Sequence, residues 1–532
     1  MVNLLPRSAH PGAGARFGRM FRRTSLALLS TAVLVGCVAN PVTGSREFGF
    51  MGTGQEIALG REHYGPTQQM EGGVYRLDPE LNAYVARVTE GLAAVSDREL
   101  PYEIVVLNSS VPNAWALPGG KMAINRGLIV ELENEAELAA VIGHEITHAA
   151  ARHGAQRMER GMLLQGAVVA AAIASSSSEY APYVMGAAQL GAVLISHRHG
   201  RDAEREADYF GMQYMHRAGY DPTAAISLQE TFLRLSEGRS TDWLSGLFAS
   251  HPPSAERVAN NRKTAAELGP GGELGRERYQ AATAALRGRQ EAYDAGDAAR
   301  LALRERDTKT AIAKLEEAIA LEPKEARFHG LLADIHYHEG RHQQALQSYD
   351  RAIELDDAFF AHWQGRGLTR MKLGQRTEAR SDLERGMTLL PTADAANALG
   401  QMALAGGRTQ EAREYLGAAS QAQGPAAVAA QASLARLDMP QHPERFVSVR
   451  WGSDDQGRVI LEIGNRSPLA VNDVVVEVRL RQADGSTALR RVPIAGTLAA
   501  GASTQLRTQI SLPAGTPAEA VAAAVVAARP AP

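Results

Sequence analysis

Gly143-His144-Glu145-Ile146-Thr147-His148 places two histidines four residues apart in a stretch with helical spacing, so both imidazoles stand on one face, one turn apart. They can bind a single ion, and Glu145 sits beside the coordination position left open. Imidazole nitrogen suits zinc better than harder ions, and a site of three protein ligands keeps a place for water. The short pattern arises by chance in many chains, so a third ligand has to be found. In the longer pattern H-E-x-x-H-x-x-G-x-x-H, Ala151 takes the glycine place and Gly154 the last histidine place, which excludes that arrangement. His153 is one position off and is expected at the helix end, against terminal carbonyls. Downstream, Glu204-Arg205-Glu206-Ala207-Asp208 reads as helix, with Glu204 and Asp208 on one face and Glu206 rotated away. Glu204 is the better ligand. Asp208 suits an outer acceptor that orients a histidine, and Glu206 is expected on the solvated face. His197 and His199, just before this helix, are expected to pack or to support ligands from outside. His251 precedes Pro252, which favours extended backbone, and a histidine on such a loop can reach a metal.

These residues need elements to hold them. Glu135 to Arg152 has helical spacing with the apolar flank Ala139, Ala140, Val141 and Ile142. Val105 and Val106 read as strand, and Asn113 to Val130 as a second extended segment broken at Pro118-Gly119-Gly120. The domain opens near Gln55, after a Gly-rich, weakly patterned connector. Two alanine-rich stretches, Met162 to Ala174 and Val184 to Ile195, are each shorter than a bilayer needs and are expected as packed helices. From Ala298 to Gln421 the chain repeats: Ala311, Ala345 and Ala379 recur at a 34-residue step, as do Pro323, Asp357 and Pro391. The pairs Leu315/Ala318 and Tyr349/Ala352 resemble the packing positions of tetratricopeptide repeats. Beyond Pro440, Val474, Val476, Val478 and Leu480 alternate with polar residues, and Asp484-Gly485 signals a hairpin. Arg458 to Ile463, Ser503 to Leu512 and Ala520 to Ala527 add strands, which together predict a β-sandwich.

The chain has 532 residues, 45% hydrophobic and 22% charged, which fits several folded domains and excludes wholesale disorder or a polytopic membrane protein. Its 56 Lys and Arg against 59 Asp and Glu give a net charge of −3, no field for nucleic acid. Cys37 is the single cysteine, so no intramolecular disulfide forms. Arg16, Arg19, Arg22 and Arg23 precede the apolar run Leu26 to Val35, the pattern of an export signal. Leu34-Val35-Gly36-Cys37 resembles the lipobox of bacterial lipoproteins, which implies lipidation of Cys37, and Val38 after it implies the outer membrane. Translation starts at Met1 or Met20. The expected organisation is multidomain: a signal peptide at 1–36, a linker at 37–54 and an α-helix-rich peptidase domain with a small β element at 55–275. A connecting helix at 276–297, an α-helical repeat solenoid at 298–436 and the β-sandwich at 443–528 complete it.

Asn40 to Gly44 (NPVTG), Asn113 to Gly120 (NAWALPGG), H-E-x-x-H followed by Arg152-His153, E-x-x-A-D at Glu204 to Asp208, and His251-Pro252 together resemble the gluzincin family of zinc peptidases. That family includes the CAAX prenyl proteases, HtpX and the BepA-like peptidases of the periplasm, and the repeats are similar to the BepA-like branch. The resemblance implies one zinc ion per chain on His144, His148 and Glu204, with Glu145 as base. It implies an active-site edge strand at Asn113 to Met122, where Asn113, Trp115, Pro118 and Gly119 meet an extended substrate. It also places a similar His-Pro near the active site. His251 is therefore expected as a fourth zinc ligand at rest or as a stabiliser of the oxyanion, the alternative being a loop histidine bonded to backbone. Trp115 stands where the family often has phenylalanine, and His199-Gly200-Arg201 replaces an aromatic-Ser-Arg.

The expected function is that of a zinc metalloendopeptidase of the bacterial envelope, anchored in the periplasm by lipid, that cleaves misfolded or misassembled periplasmic and outer-membrane proteins. Its partners would be such clients and, through the repeats, the outer-membrane assembly machinery. The alternative is a periplasmic chaperone or assembly adaptor with a mainly structural zinc site. Glu145 argues against it, because structural zinc has no use for that carboxylate. A prenyl-protein protease would need several membrane spans, and none is evident.

Overall fold

The computed structural model describes residues 37–162, 200–238, 251–482, 485–513 and 516–531. They divide into two compact units, the first ending at Glu325 and the second starting at Ala326. The export signal, most of the two alanine-rich stretches, His197 and His199 lie outside the described residues, as does Asp484 of the expected hairpin.

In the first unit the expected connector is a hairpin: β1 (Cys37–Ala39) pairs antiparallel with β2 (Arg46–Phe48). Its turn is set by a side chain the strand pattern does not register. Asn40 Oδ1 accepts from the backbone N–H of Val42 and Thr43 at 2.9 and 3.3 Å, and Gly44 takes the left-handed φ of +72°. Helices α1 (Thr53–Met70) and α2 (Pro79–Ala93) lead to β3 (Glu103–Leu107), β4 (Ala114–Leu117) and β5 (Lys121–Asn125). The sheet order is β3-β5-β4, with β3 parallel and β4 antiparallel to β5. Pro118-Gly119-Gly120 is the tight turn of the β4–β5 hairpin, and Gly119 is pressed on α1, where a Cβ would stand 2.5 Å from the Cα of Ile57. The extended segment expected to reach Val130 stops at Asn125, and Arg126–Glu131 is helix α3. Gly127 lies so close to the Ser110 carbonyl that a Cβ would sit 2.0 Å from it, and the chain turns there instead of extending.

Helix α4 (Glu135–Ala150) starts on an Asn134 cap whose Oδ1 accepts from Glu137 N at 3.0 Å, and all its residues are buried. Its small residues let α2, β4, α5 (Arg201–Arg217) and α6 (Ala224–Gly238) pack around it. At the crossing with α5, a Cβ on Gly211 would stand 2.9 Å from His144 N, and a Cβ on Gly143 2.9 Å from Gly211 O. Helix α7 (Ala255–Leu268) covers the same side. The stretch 276–297 forms α8 (Arg276–Gly288) and the start of α9 (Gln290–Arg304), both seated on the preceding domain. Tyr279 Oη donates to Ile129 O at 2.5 Å, and the Arg126 guanidinium lies 3.3 Å from the Tyr293 ring centre. Helix α10 (Thr308–Leu321) pairs with α9.

The second unit continues with α11 (Ala326–His338), α12 (His342–Leu355), α13 (Phe360–Lys372), α14 (Arg376–Leu389), α15 (Ala393–Ala405), α16 (Thr409–Ser420) and α17 (Pro425–Asp438). The repeated small and large residues Ala345, Tyr349, Ala352, Ala379, Leu383, Ala412 and Leu416 are all buried between paired helices. Two three-stranded antiparallel sheets follow. One is ordered β10-β7-β6 (Ser503–Ser511, Arg458–Asn465, Val447–Ser453), the other β11-β8-β9 (Val521–Pro530, Val471–Arg481, Thr487–Pro493). The edge strands β6 and β9 were not singled out in the sequence: β9 is largely exposed and lacks a clear apolar face, whereas β6 does turn Val447, Val449 and Trp451 to the core by simple alternation. Val459, Leu461 and Ile463 of one sheet and Val474, Val476 and Val478 of the other share a single cluster with Ala435 and Met439 at the end of α17. Among the described residues no helix is long and apolar enough to cross a membrane.

Candidate metal centre

Helix α4 offers His144 and His148 from successive turns, α5 offers Glu204 across the glycine crossing, and the segment before α7 brings His251. One donor atom from each lies within 4.8 Å of all the others. His144 Nε2 is 3.0 Å from His148 Nε2 and 3.2 Å from His251 Nδ1. Glu204 Oε1 is 3.0 Å from His251 Nδ1 and 3.4 Å from His148 Nε2. All four residues are buried or nearly so, and Glu145 beside them is 3% exposed, its Oε1 3.5 Å from His251 Nε2. Oε2 of Glu145 is buried with no hydrogen-bond partner among the described residues. Three imidazole nitrogens and a carboxylate oxygen converging on one point form a donor set that fits zinc.

His144 Nδ1 lies 3.0 Å from Asp208 Oδ1. Arg257 of α7 was not singled out from the sequence, yet it organises two acids of α5, Asp208 and Glu204. Its Nε and Nη2 donate to Asp208 at 2.7 and 2.6 Å, and its Nη1 is 3.0 Å from Glu204 Oε2. The available signal was indirect: Ser254 caps α7 by accepting from Arg257 N, which sets Arg257 in the first turn. Burial alone would raise the Asp208 carboxyl, and the Arg257 charge overrides it and keeps Asp208 below its ordinary range. Burial also opposes ionisation of Glu204, and the His251 imidazole, with His148 and His144, holds it well below the usual carboxylate range.

Two expectations are corrected here. His153 is not in the last turn of α4: the helix ends at Ala150, Arg152 takes φ +66°, and the chain re-enters helix at 153. The imidazole therefore turns back on His148, with Nδ1 2.8 Å from Nδ1. Glu206 is not on a solvated face. Its Oε1 lies 3.5 Å from His153 Nε2 and accepts from Asn40 Nδ2 at 3.0 Å.

Strand β4 is an edge of the sheet and packs against α4; Asn113 and Trp115 are both buried, with the Trp115 ring edge-on to Tyr64 of α1 at 6.1 Å between centres. Pro118 and Gly119 are taken up by α1: a Cβ on Gly60 would stand 2.0 Å from the Pro118 carbonyl oxygen. A cavity of about 40 Å³, lined by Val141, Met212, Leu228 and Phe232, reaches Glu145 and His251. Cys37 lies in β1, where its backbone faces Phe48.

Residues 79–265 match the model of Peptidase family M48, and residues 297–358 and 365–436 match that of the tetratricopeptide repeat. The chain is 31% identical over 200 residues to the putative beta-barrel assembly-enhancing protease of Vibrio cholerae, covering 36% of this chain and 41% of that one. It is 27% identical over 268 residues to the beta-barrel assembly-enhancing protease of Escherichia coli, covering 47% and 54%. It is 32% identical over 224 residues to the mitochondrial metalloendopeptidase OMA1 of Schizosaccharomyces pombe, covering 41% and 63%. The chain thus spans about half the length of the curated relatives it matches.

Proposed function

We propose, for a chain that carries a Peptidase family M48 domain followed by tetratricopeptide repeats, that it is a zinc-dependent endopeptidase of the bacterial envelope. The observation that carries this reading is the convergence of His144, His148, Glu204 and His251 beside the buried carboxylate of Glu145. His144, His148 and Glu204 would hold zinc, and His251 would fill the fourth position at rest. Bound zinc supplies Lewis acidity that polarises a peptide carbonyl and acidifies water. Glu145 takes up a proton at Oε2 and returns it to the departing amide nitrogen, the kind of service that contributes about 10²–10⁴-fold. Asp208, kept ionised by Arg257, fixes the His144 proton on Nδ1, so that Nε2 faces the centre with its lone pair. The edge strand β4, with Asn113 and Trp115, offers backbone to an extended substrate largely regardless of its side chains.

Unfolded or misassembled envelope proteins suit such recognition as clients, and the names of two relatives, proteases that enhance beta-barrel assembly, support that setting. The repeats would dock outer-membrane assembly machinery, and a lipid on Cys37 would hold the protein to the outer membrane in the periplasm. The two C-terminal sheets read as a small β-sandwich with a structural role. Cells carrying wild-type protein or Glu145→Gln provide the test, by comparison of their cleaved envelope proteins. The variant should keep one zinc per chain, lose the fragments, and lose about a hundredfold or more in peptide hydrolysis. Fragments unchanged in the variant would sink the reading.

A further inference from the structure

A histidine that offers its Nε2 lone pair to a metal keeps its proton on Nδ1, and that N–H needs an acceptor behind it. His144 has Asp208. Behind His148 stands His153, Nδ1 to Nδ1 at 2.8 Å. Two ring nitrogens form one hydrogen bond when one carries the proton and the other a lone pair, so donation from His148 makes His153 Nδ1 the acceptor and places the His153 proton on Nε2. That atom faces Glu206 Oε1 at 3.5 Å. The same oxygen accepts from Asn40 Nδ2 at 3.0 Å, and Asn40 Nδ2 also reaches Glu47 Oε1 at 3.2 Å. Glu47 bonds Gln156 in the helix that His153 opens. Asn40 is 2% exposed and His153 7%, so both ends of the chain are withdrawn from water.

We propose that Asn40, Glu206 and His153 are positioning residues for His148, so that the N-terminal hairpin is a working part of the metal centre. Glu206 is the carboxylate behind His148, acting through an interposed imidazole, as Asp208 acts directly on His144. Asn40 holds Glu206 in place with the amide whose carbonyl shapes the hairpin turn. The inference rests on the zinc reading above.

The test is zinc affinity of the full chain by chelator competition, read beside the melting temperature of the metal-free protein and the visible spectrum of its Co²⁺ form. Loss of such an outer partner typically costs about 10–100-fold in metal affinity. His153→Leu should show that loss and an altered Co²⁺ spectrum at an unchanged metal-free melting temperature. His153→Gln, whose side-chain carbonyl can accept from His148, should recover most of it. Asn40→Asp keeps the acceptor that shapes the turn, replaces the donor facing Glu206 with a like charge, and should also weaken zinc. It decides the matter should His153→Leu fail to fold. Zinc affinity in His153→Leu or Asn40→Asp equal to wild type overturns the proposal and leaves the zinc reading standing. A wild-type chain that takes up no zinc overturns the zinc reading itself.

Discussion

His251 reaches the centre from a segment outside any helix, whereas His144 and His148 are fixed by α4 and by partners behind their rings. Its imidazole meets Glu204, Glu145 and His144, and its neighbour Pro252 is held through a carbonyl that accepts from Arg257 Nη1 at 3.3 Å. Such a ligand can withdraw without disturbing the helices that carry the rest. His251→Ala should therefore weaken zinc binding yet raise cleavage of an unstructured peptide, or cause self-cleavage, measured by steady-state assay with metal analysis. Unaltered rates with zinc retained would reduce His251 to a packing residue. At this scale the sequence spoke clearly wherever two residues shared one helix. His144 with His148, and Glu204 with Asp208, follow from the helical period alone. His153, Glu206 and Arg257 were misplaced or missed because their partners come from other elements, and no local spacing reports which element faces which.

The meeting of α4 and α5 depends on the absence of two side chains. Gly143 and Gly211 bring the helix backbones close enough for His144 and Glu204 to serve one point. Gly211→Ala should drive the helices apart at a cost of about 1–3 kcal/mol, the range for overpacked sites, and weaken zinc binding with it. Gly91→Ala, on the exposed side of α2 with no atom near the added methyl, should instead stabilise by up to about 1 kcal/mol through helix propensity. Thermal unfolding and zinc titration of the two variants check the opposition in sign, and a stabilised Gly211→Ala would refute the crossing argument. Among elements, the repeats were legible because each packs on its neighbours and so keeps its register in the sequence, as Ala345 and Ala379 show. The hairpin of β1 and β2 was not, since a single asparagine side chain sets its turn.

Across the molecule the first unit extends well past the metal centre. Glu325 accepts from Asn108 Nδ2 at 2.9 Å and from Tyr293 Oη at 3.0 Å, tying α9 to the sheet that supports the site. A chain ending at Glu325 should cleave a flexible test peptide at the wild-type rate and lose its physiological client, while one ending at Gly269 should melt lower because buried Tyr279 is removed. Equal client cleavage by the shortened and complete chains would count against docking by the later repeats. Cys37→Ser should release the protein from membranes or leave an unprocessed precursor, and a normally processed variant still in the outer-membrane fraction would exclude lipidation. Arrays of helix pairs ordinarily lengthen by duplication and finish in an interchangeable polar cap. In this chain α17 and the residue that follows it run Ala435 and Met439 into the core of the two sheets. New pairs can thus be inserted upstream but not appended after α17, and evolution has a ruler here that is sealed at one end.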